Sequence, residues 1–317
     1  MEDILNKWEE LKKALDHKKA ISTTTVPMLG EKAEWPAPSS EHLANAKYGV
    51  KNIPGADPFT AGNSKNIGVT KDGDKTMVIR HGAPAHRTAV EWEMAKLLGA
   101  DHMLAQQSYD PGMHHPDHYQ KDTYDRNLHG GTSVQEHVGG DRIYNLSDKE
   151  GGLDGLRDQW KNGDLHKLWA LHYISNNGDM HPGNFNVGKD GVKAFDSDHA
   201  FYELPTAHAV DRYTKDSKPV IKYYPFLNKE LPAYLYPFIE GHGDNISDIP
   251  HTHKDDQPSS VAINEHAKNI DPDQFSVYGK HALERAVKAK KALLSSDPTA
   301  AMLKLWEDHH DKTKGLR

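Results

Sequence analysis

Residues 178–201 read GDMHPGNFNVGKDGVKAFDSDHAF, and this stretch decides which kind of fold the chain adopts. Its middle resembles two short strands, Asn184–Val187 and Val192–Phe195, around a turn rich in glycine. A hairpin of this kind brings its two ends side by side. Because polar side chains flank both ends, the sequence predicts a cluster of carboxylate and amide groups at one edge of the hairpin.

The flanking side chains have the chemistry of a magnesium and phosphate site. Asp179 and Asn184 precede the hairpin, and Asp196 and Asp198 follow it, Asp196 coming twelve residues after Asn184. Phosphoryl transfer needs a carboxylate that orients the attacking hydroxyl, together with oxygen ligands that hold Mg²⁺ on the phosphates. Hard oxygen donors favour Mg²⁺ over softer metals. We therefore expect these four residues to form one site.

This segment resembles the catalytic core of the protein-kinase-like superfamily, in the style of its atypical branches, the phosphoinositide kinases and the bacterial HipA-type proteins. Their catalytic loop has the form Asp-x-His-x-x-Asn, which matches Asp179, His181 and Asn184, and their metal-binding triplet resembles Asp196-Ser197-Asp198. The resemblance implies ATP and Mg²⁺ as cofactors, Asp179 as the catalytic carboxylate within the loop that contains His181, and Asn184 and Asp196 as metal ligands. Asp198 stands where many kinases have glycine and is a further candidate ligand.

The chain before this segment follows the same plan in the same order. Gly62 and Ser64 resemble part of a phosphate-covering loop, in which small residues let phosphates approach the backbone. Two strand-like runs follow, 67–70 and 76–80, joined by a turn that contains Asp-Gly. The strand register places Arg80 where the family has its phosphate-binding lysine, although its guanidinium group is bulkier and forked. Lys75, on the other strand face, is the fallback.

A helix of about 85–98 and a strand of 133–138 complete the candidate nucleotide site. Glu91 shares a helix face with Met94, Ala95 and Leu98, so it is expected to point inward and to be available for an ion pair with Arg80. By resemblance, the strand leads to a hinge whose backbone groups contact adenine. Its candidate residues are Gln135, Glu136 and Val138.

We expect an α+β, two-lobed protein-kinase-like fold with a small β-rich N-lobe and a mainly helical C-lobe. The expected divisions are an N-terminal helix and extended connection (1–60), the N-lobe (61–140) and the C-lobe (141–317), with a Pro- and Tyr-rich insertion at 202–275 that lacks clear periodicity. Apolar spacing predicts further helices at 3–19, 165–175, 277–294 and 300–309, with Asp164 as the N-cap of the second.

The amino-acid composition argues against several classes of binding partner and of functional site. The net charge of −7 and the lack of a basic, aromatic-rich run argue against nucleic acid as a partner. The absence of cysteine excludes disulfides, thiolate metal sites and a cysteine nucleophile. The start at Met1–Ile4 does not resemble a secretory signal, and no run of ~18 apolar residues predicts a membrane span. A cytoplasmic location is expected, and oligomeric state is left open.

Two other classes of function compete with the kinase. Arg80 and the sparse glycines of the phosphate loop are also compatible with a pseudokinase, a nucleotide-binding regulatory module without turnover. A metal-dependent hydrolase could use Asp179, His181, Asp196, Asp198 and His199 around Zn²⁺ or two metal ions, but that interpretation does not explain Asn184. The phosphate acceptor stays open between a protein, an inositol lipid and a small molecule, as does transfer of AMP. The histidine clusters at 114–118 and 251–253 read as solvated loops.

Overall fold

The computed structural model describes residues 35–48, 67–113, 131–143, 153–177, 182–188, 191–196, 200, 238 and 258–314, and it has the mixed composition of the expected α+β class. Several predictions concern residues outside these ranges: the helix at 3–19, both histidine clusters, and most of 202–275. The site residues outside the described ranges are Gly62, Ser64, Asp179, His181 and Asp198.

A five-stranded antiparallel sheet forms the first half of the described chain. Its strands lie in the order β1-β2-β3-β5-β4, so β5 pairs with both β3 and β4. The predicted hairpin is confirmed: β2 and β3 pair throughout, and Gly73 takes a positive φ of 57° in the turn, which glycine adopts without strain. The bounds are β1 Lys47–Tyr48, β2 Ile67–Asp72, β3 Lys75–His81, β4 Gln107–Asp110 and β5 Thr132–Glu136.

The two faces of this sheet are covered by different parts of the chain. Met77 and Ile79 pack with Trp35 on one face. Helix α2, Ala83–Leu97, lies on the other face, where the Gln107 side chain donates to the carbonyl of Thr88 at 2.7 Å. Arg80 alternates with Ile79 along β3 and therefore lies on the α2 face, as the strand register predicts.

A three-stranded sheet follows, made of β6 (Asp141–Arg142), β7 (Phe185–Gly188) and β8 (Gly191–Ala194). The second predicted hairpin is confirmed, because Phe185 pairs with Ala194 and Gly188 with Gly191. The end of β8 also contacts the first half of the chain, since the carbonyl of Ala194 accepts from the Ala105 amide at 2.8 Å.

The remaining described chain is largely helical around one apolar core. This core joins Met94 of α2 and Leu98, the C-cap of that helix, to the later helices and to Phe185 and Val192 of the second hairpin. No helix in the described ranges combines the length and the apolar character that crossing a membrane requires. The helices are α1 Ser40–Asn45, α2 Ala83–Leu97, α3 Asp154–Lys161, α4 Asp164–Ser175, α5 Ser260–Lys268, α6 Lys280–Leu293 and α7 Pro298–Lys314.

Three local predictions are corrected by the structure. The segment expected to be extended contains α1, and the segment expected to lack periodicity contains α5. Both short helices begin at serine caps, Ser39 and Ser259, whose hydroxyls accept backbone N–H groups that would otherwise be unpaired. Asp164 is the first residue of α4 instead of its cap, because Gly163 takes a left-handed conformation (φ 87°) and starts the helix.

Candidate functional site

The second hairpin places the segment that contains Asn184 beside the segment that contains Asp196. Asn184 ends a short 3-10 turn, Pro182–Asn184, and its carbonyl accepts from the Phe195 amide at 3.2 Å. Asn184 is buried, whereas the Asp196 side chain remains 28% exposed. The two predicted metal ligands thus flank the strands at the open end of the hairpin, Asn184 just before β7 and Asp196 two residues after β8.

Arg80 reaches this end of the hairpin from the five-stranded sheet. Its Nη1 lies 3.0 Å from Oδ1 of Asp196, its Nη2 donates to the Phe195 carbonyl at 3.0 Å, and its Nε donates to Oε1 of Gln135 at 3.4 Å. Arg80 is 4% exposed, so its charge depends on these oxygens for compensation. The forked guanidinium group suits this task, because it donates in several directions in one plane.

Lys75 lies away from this cluster. It is exposed at the start of β3, and its Nζ sits 5.1 Å from the centre of the Trp35 ring. Trp35 packs with Met77 and Ile79, on the sheet face opposite α2. The structure therefore separates the two candidate cations and brings Arg80, not the fallback Lys75, to the metal-loop residues.

Glu91 points inward, but its partners differ from the expected one. The side chain is fully buried, and Oε1 accepts from the Ser175 hydroxyl at 2.5 Å and lies 3.3 Å from Nδ1 of His172. Nδ2 of Asn177 lies 3.4 Å from Oε2. No ion pair joins Glu91 to Arg80 within the described part of the chain. The reason is geometric: the face of α2 that carries Glu91 packs against the end of α4.

The predicted hinge residues connect the two sheets. The Glu136 carboxylate lies 3.0 Å from Nζ of Lys193 and accepts from the Gln106 amide at 3.1 Å. The Val138 carbonyl accepts from Nδ2 of Asn186 at 2.8 Å. Side chains of β7 and β8 thus hold the connection that leaves β5. These contacts fix the separation of the two sheets on this side.

The donors of the candidate site fit a magnesium ion. Asn184 and Asp196 offer an amide oxygen and a carboxylate oxygen, and hard oxygen atoms are the ligands that Mg²⁺ prefers. The neighbouring Arg80 suits an anionic ligand such as a phosphate. Among the residues that the structure describes, no group of three or more His, Asp or Glu side chains is arranged to hold a metal.

Several residues around the site were not assigned a role from the sequence. His172, Ser175 and Asn177 surround Glu91. The helix ends at Ser175, as predicted, and Asn176 follows it in a left-handed conformation with φ 54°. The composition of α4 could have indicated their role, because polar residues at the end of an otherwise apolar, buried helix need hydrogen-bond partners.

A comparison of the sequence with protein-family models and with curated proteins finds no match.

Proposed function

We propose that the protein is an ATP- and Mg²⁺-dependent phosphotransferase with a two-lobed, protein-kinase-like fold, which transfers the γ-phosphate to a hydroxyl group. In this proposal strands β2 to β5 and α2 belong to the N-lobe, 61–140, which β1 of the preceding segment extends by pairing with β2, and the helices α3 to α7 belong to the C-lobe, 141–317. The observation that supports it best is the contact of Arg80 with Asp196 at 3.0 Å, beside Asn184. This contact links Arg80, on the five-stranded sheet, to Asp196 of the predicted metal-binding triplet.

Each residue has a distinct task in the proposed reaction. Bound Mg²⁺ would neutralise charge on the phosphates, and Asn184 and Asp196 would hold it. Arg80, a permanent cation in a buried setting, would attract and orient a phosphate from the sheet side. Asp179 would orient the acceptor hydroxyl and take up its proton. The acceptor remains a protein, lipid or small-molecule hydroxyl in this proposal.

One observation favours a second candidate, a nucleotide-binding module without turnover. Arg80 contacts Asp196 directly, and an arginine that holds this carboxylate competes with a metal ion for it. If the ion pair persists when nucleotide binds, Asp196 has one oxygen left for Mg²⁺. The two candidates therefore differ in whether Mg²⁺ adds to nucleotide binding and whether the γ-phosphate is transferred.

The experiment that tests the proposal is a stability series with ATP, GTP and no nucleotide, each with and without Mg²⁺. A ligand at about a hundredfold its Kd raises the free energy of unfolding by ~2.7 kcal/mol. We expect Asp196→Ala to lose the Mg²⁺-dependent part of this increase, measured against its own ligand-free state. The matched control is Asp154→Ala, because the Asp154 carboxylate is 68% exposed and pairs with Arg157 instead.

A transfer assay with γ-labelled ATP then separates the two candidates. Mg²⁺-dependent label on an acceptor, or slow Mg²⁺-dependent release of phosphate, supports the phosphotransferase. Nucleotide stabilisation without any loss of γ-phosphate supports the regulatory module. An Asp196→Ala variant with an unchanged Mg²⁺ response would show that Asp196 is not a metal ligand.

A further inference from the structure

The end of α4 is held by polar groups from three other helices. Glu91 of α2 contacts Ser175 and Asn177. From α6, Nε of Arg285 donates to the Ile174 carbonyl at 2.7 Å, and from α7, Nε2 of His309 lies 2.6 Å from Oδ1 of Asn176. Four consecutive residues, 174–177, therefore each have a partner outside their own helix. The chain then continues directly to Asp179, two residues further on.

Glu91 differs from the other two partners because it is completely buried and acidic. Transfer of a carboxylate from water to the interior is costly unless hydrogen-bond donors surround it. Here the donors come from the last turn of α4 and from Asn177, two residues after its end, at 2.5 to 3.4 Å. Any shift of residues 175–177 would remove donors from a buried charge. Alternative positions of residues 175–177 are therefore less stable than the observed one.

We infer that Glu91 is a positioning residue that fixes residues 175–177, the segment just before Asp179 in the sequence, by acting on Ser175 and Asn177, and that it does not orient Arg80. This inference rests on the proposed phosphotransferase function. Arg80 has its own partners in Asp196, Phe195 and Gln135 and does not depend on Glu91 for charge compensation. Glu91 should therefore affect catalytic turnover more than nucleotide affinity.

The test compares Glu91→Gln with the parent protein. Glutamine keeps the shape and one acceptor oxygen, but its NH₂ group replaces the oxygen that faces Asn177, so one contact is lost without opening a cavity. The matched control is Glu93→Gln on the same helix, where the carboxylate pairs with Lys96 at the surface. Three quantities are measured for each protein: the Kd of Mg²⁺–ATP, kcat, and hydrogen–deuterium exchange of peptides covering 174–184.

We expect Glu91→Gln to lower kcat about tenfold, to leave the Kd of Mg²⁺–ATP within about twofold, and to speed exchange in 174–184 without a change in β2 and β3. Asn177→Ala should have the same effects, and the double variant should be no worse than the more damaged single variant, because both changes break one link. Glu93→Gln should match the parent in all three measurements.

Two results would overturn the inference. A weaker Kd for Mg²⁺–ATP with unchanged exchange in 174–184 would mean that Glu91 acts on the nucleotide side. Exchange and kcat that both match the parent would mean that the contact does not position residues 175–177. Failure of the proposed function gives a different result, because it is seen in the parent protein. In that case the parent neither binds nor consumes ATP. If exchange still rises in Glu91→Gln, then Glu91 holds residues 175–177 in place but the segment does not serve phosphoryl transfer.

Discussion

Arg80 and Glu91 are two buried charges that lie close in sequence and have separate partners in the structure. Arg80 lies on a strand and reaches the residues that follow the second hairpin. Glu91 lies on the next helix and reaches the residues that follow α4. The sequence made them candidates for one ion pair, but each is instead satisfied by a different loop of the proposed active site.

This difference shows that two elements of the first half of the chain contact the second half independently. The sheet contacts Asp196 and Phe195 through the Arg80 cation, and α2 contacts Ser175 and Asn177 at the end of α4 through the Glu91 carboxylate. A change at one contact should then leave the other largely intact, because the partners of Arg80 and of Glu91 named above are different residues of the described chain. The following predictions test that independence, beginning with the largest expected effect.

Replacement of Arg80 should have the largest effect on stability. Arg80→Ala leaves the Asp196 carboxylate, the Phe195 carbonyl and the Gln135 side chain without their cation, which should cost on the order of 3 kcal/mol of unfolding free energy and weaken ATP binding. Lys75→Ala should cost less than ~1 kcal/mol, because its described contact is with the Trp35 ring. Denaturant titration and nucleotide binding measure both.

Two outcomes for the Arg80 and Lys75 variants would contradict this prediction. If Lys75→Ala damages ATP binding more than Arg80→Ala, the nucleotide lies on the Trp35 face of the sheet, and Arg80 serves stability alone. If Arg80→Ala also speeds hydrogen exchange in residues 174–177, the two contacts are coupled and the comparison fails.

Replacement of Asp179 tests chemistry on the Glu91 side. Asp179→Asn keeps the size of the side chain and removes its charge, so γ-phosphate transfer, or slow ATP hydrolysis, should fall at least about a hundredfold with near-normal affinity for Mg²⁺–ATP. Single-turnover rates and equilibrium binding separate the two effects. Equal turnover in variant and parent would mean that Asp179 is not the catalytic carboxylate, and would favour the module without turnover.

The smallest effect concerns the opposite end of α4, where a buried histidine has no carboxylate beside it. Burial between Trp160 and Trp169 lowers the pKa of His166 to about 3, and its Nε2 lies 3.0 Å from the Thr299 hydroxyl. The unfolded chain takes up this proton near pH 6.5, whereas the folded chain does not until about pH 3. Stability is therefore complete above pH 6.5 and falls by about 1.4 kcal/mol per pH unit on acidification below it.

His166→Gln should flatten this acid slope between pH 6.5 and 5, because glutamine can keep the contact with Thr299 and does not titrate. His281→Gln is the control, since the His281 side chain is 60% exposed. Urea titrations at several pH values give the slopes. A slope that His166→Gln leaves unchanged would assign the acid sensitivity to another group.

Local patterns were sufficient to predict the elements that carry the site. The Asp-Gly turn and the alternation in 67–80 predicted the first hairpin and the face on which Arg80 lies. The glycine-rich turn after Val187 predicted the second hairpin, whose open end joins the Asn184 carbonyl to the Phe195 amide, one residue before Asp196. These predictions succeed because turn conformation and strand pleat act over a few residues, so neighbouring side chains determine them.

The tertiary structure alone decided which partners the buried charges have. Glu91 and Ser175 are 84 residues apart, and Arg80 and Phe195 are 115 residues apart, so no local pattern relates them. A charge that leaves water takes whichever donors or acceptors the packing of helices and sheets brings within about 3 Å. The sequence indicated that Glu91 points inward, and the packing of α2 against α4 determined that it meets Ser175 and Asn177 instead of Arg80.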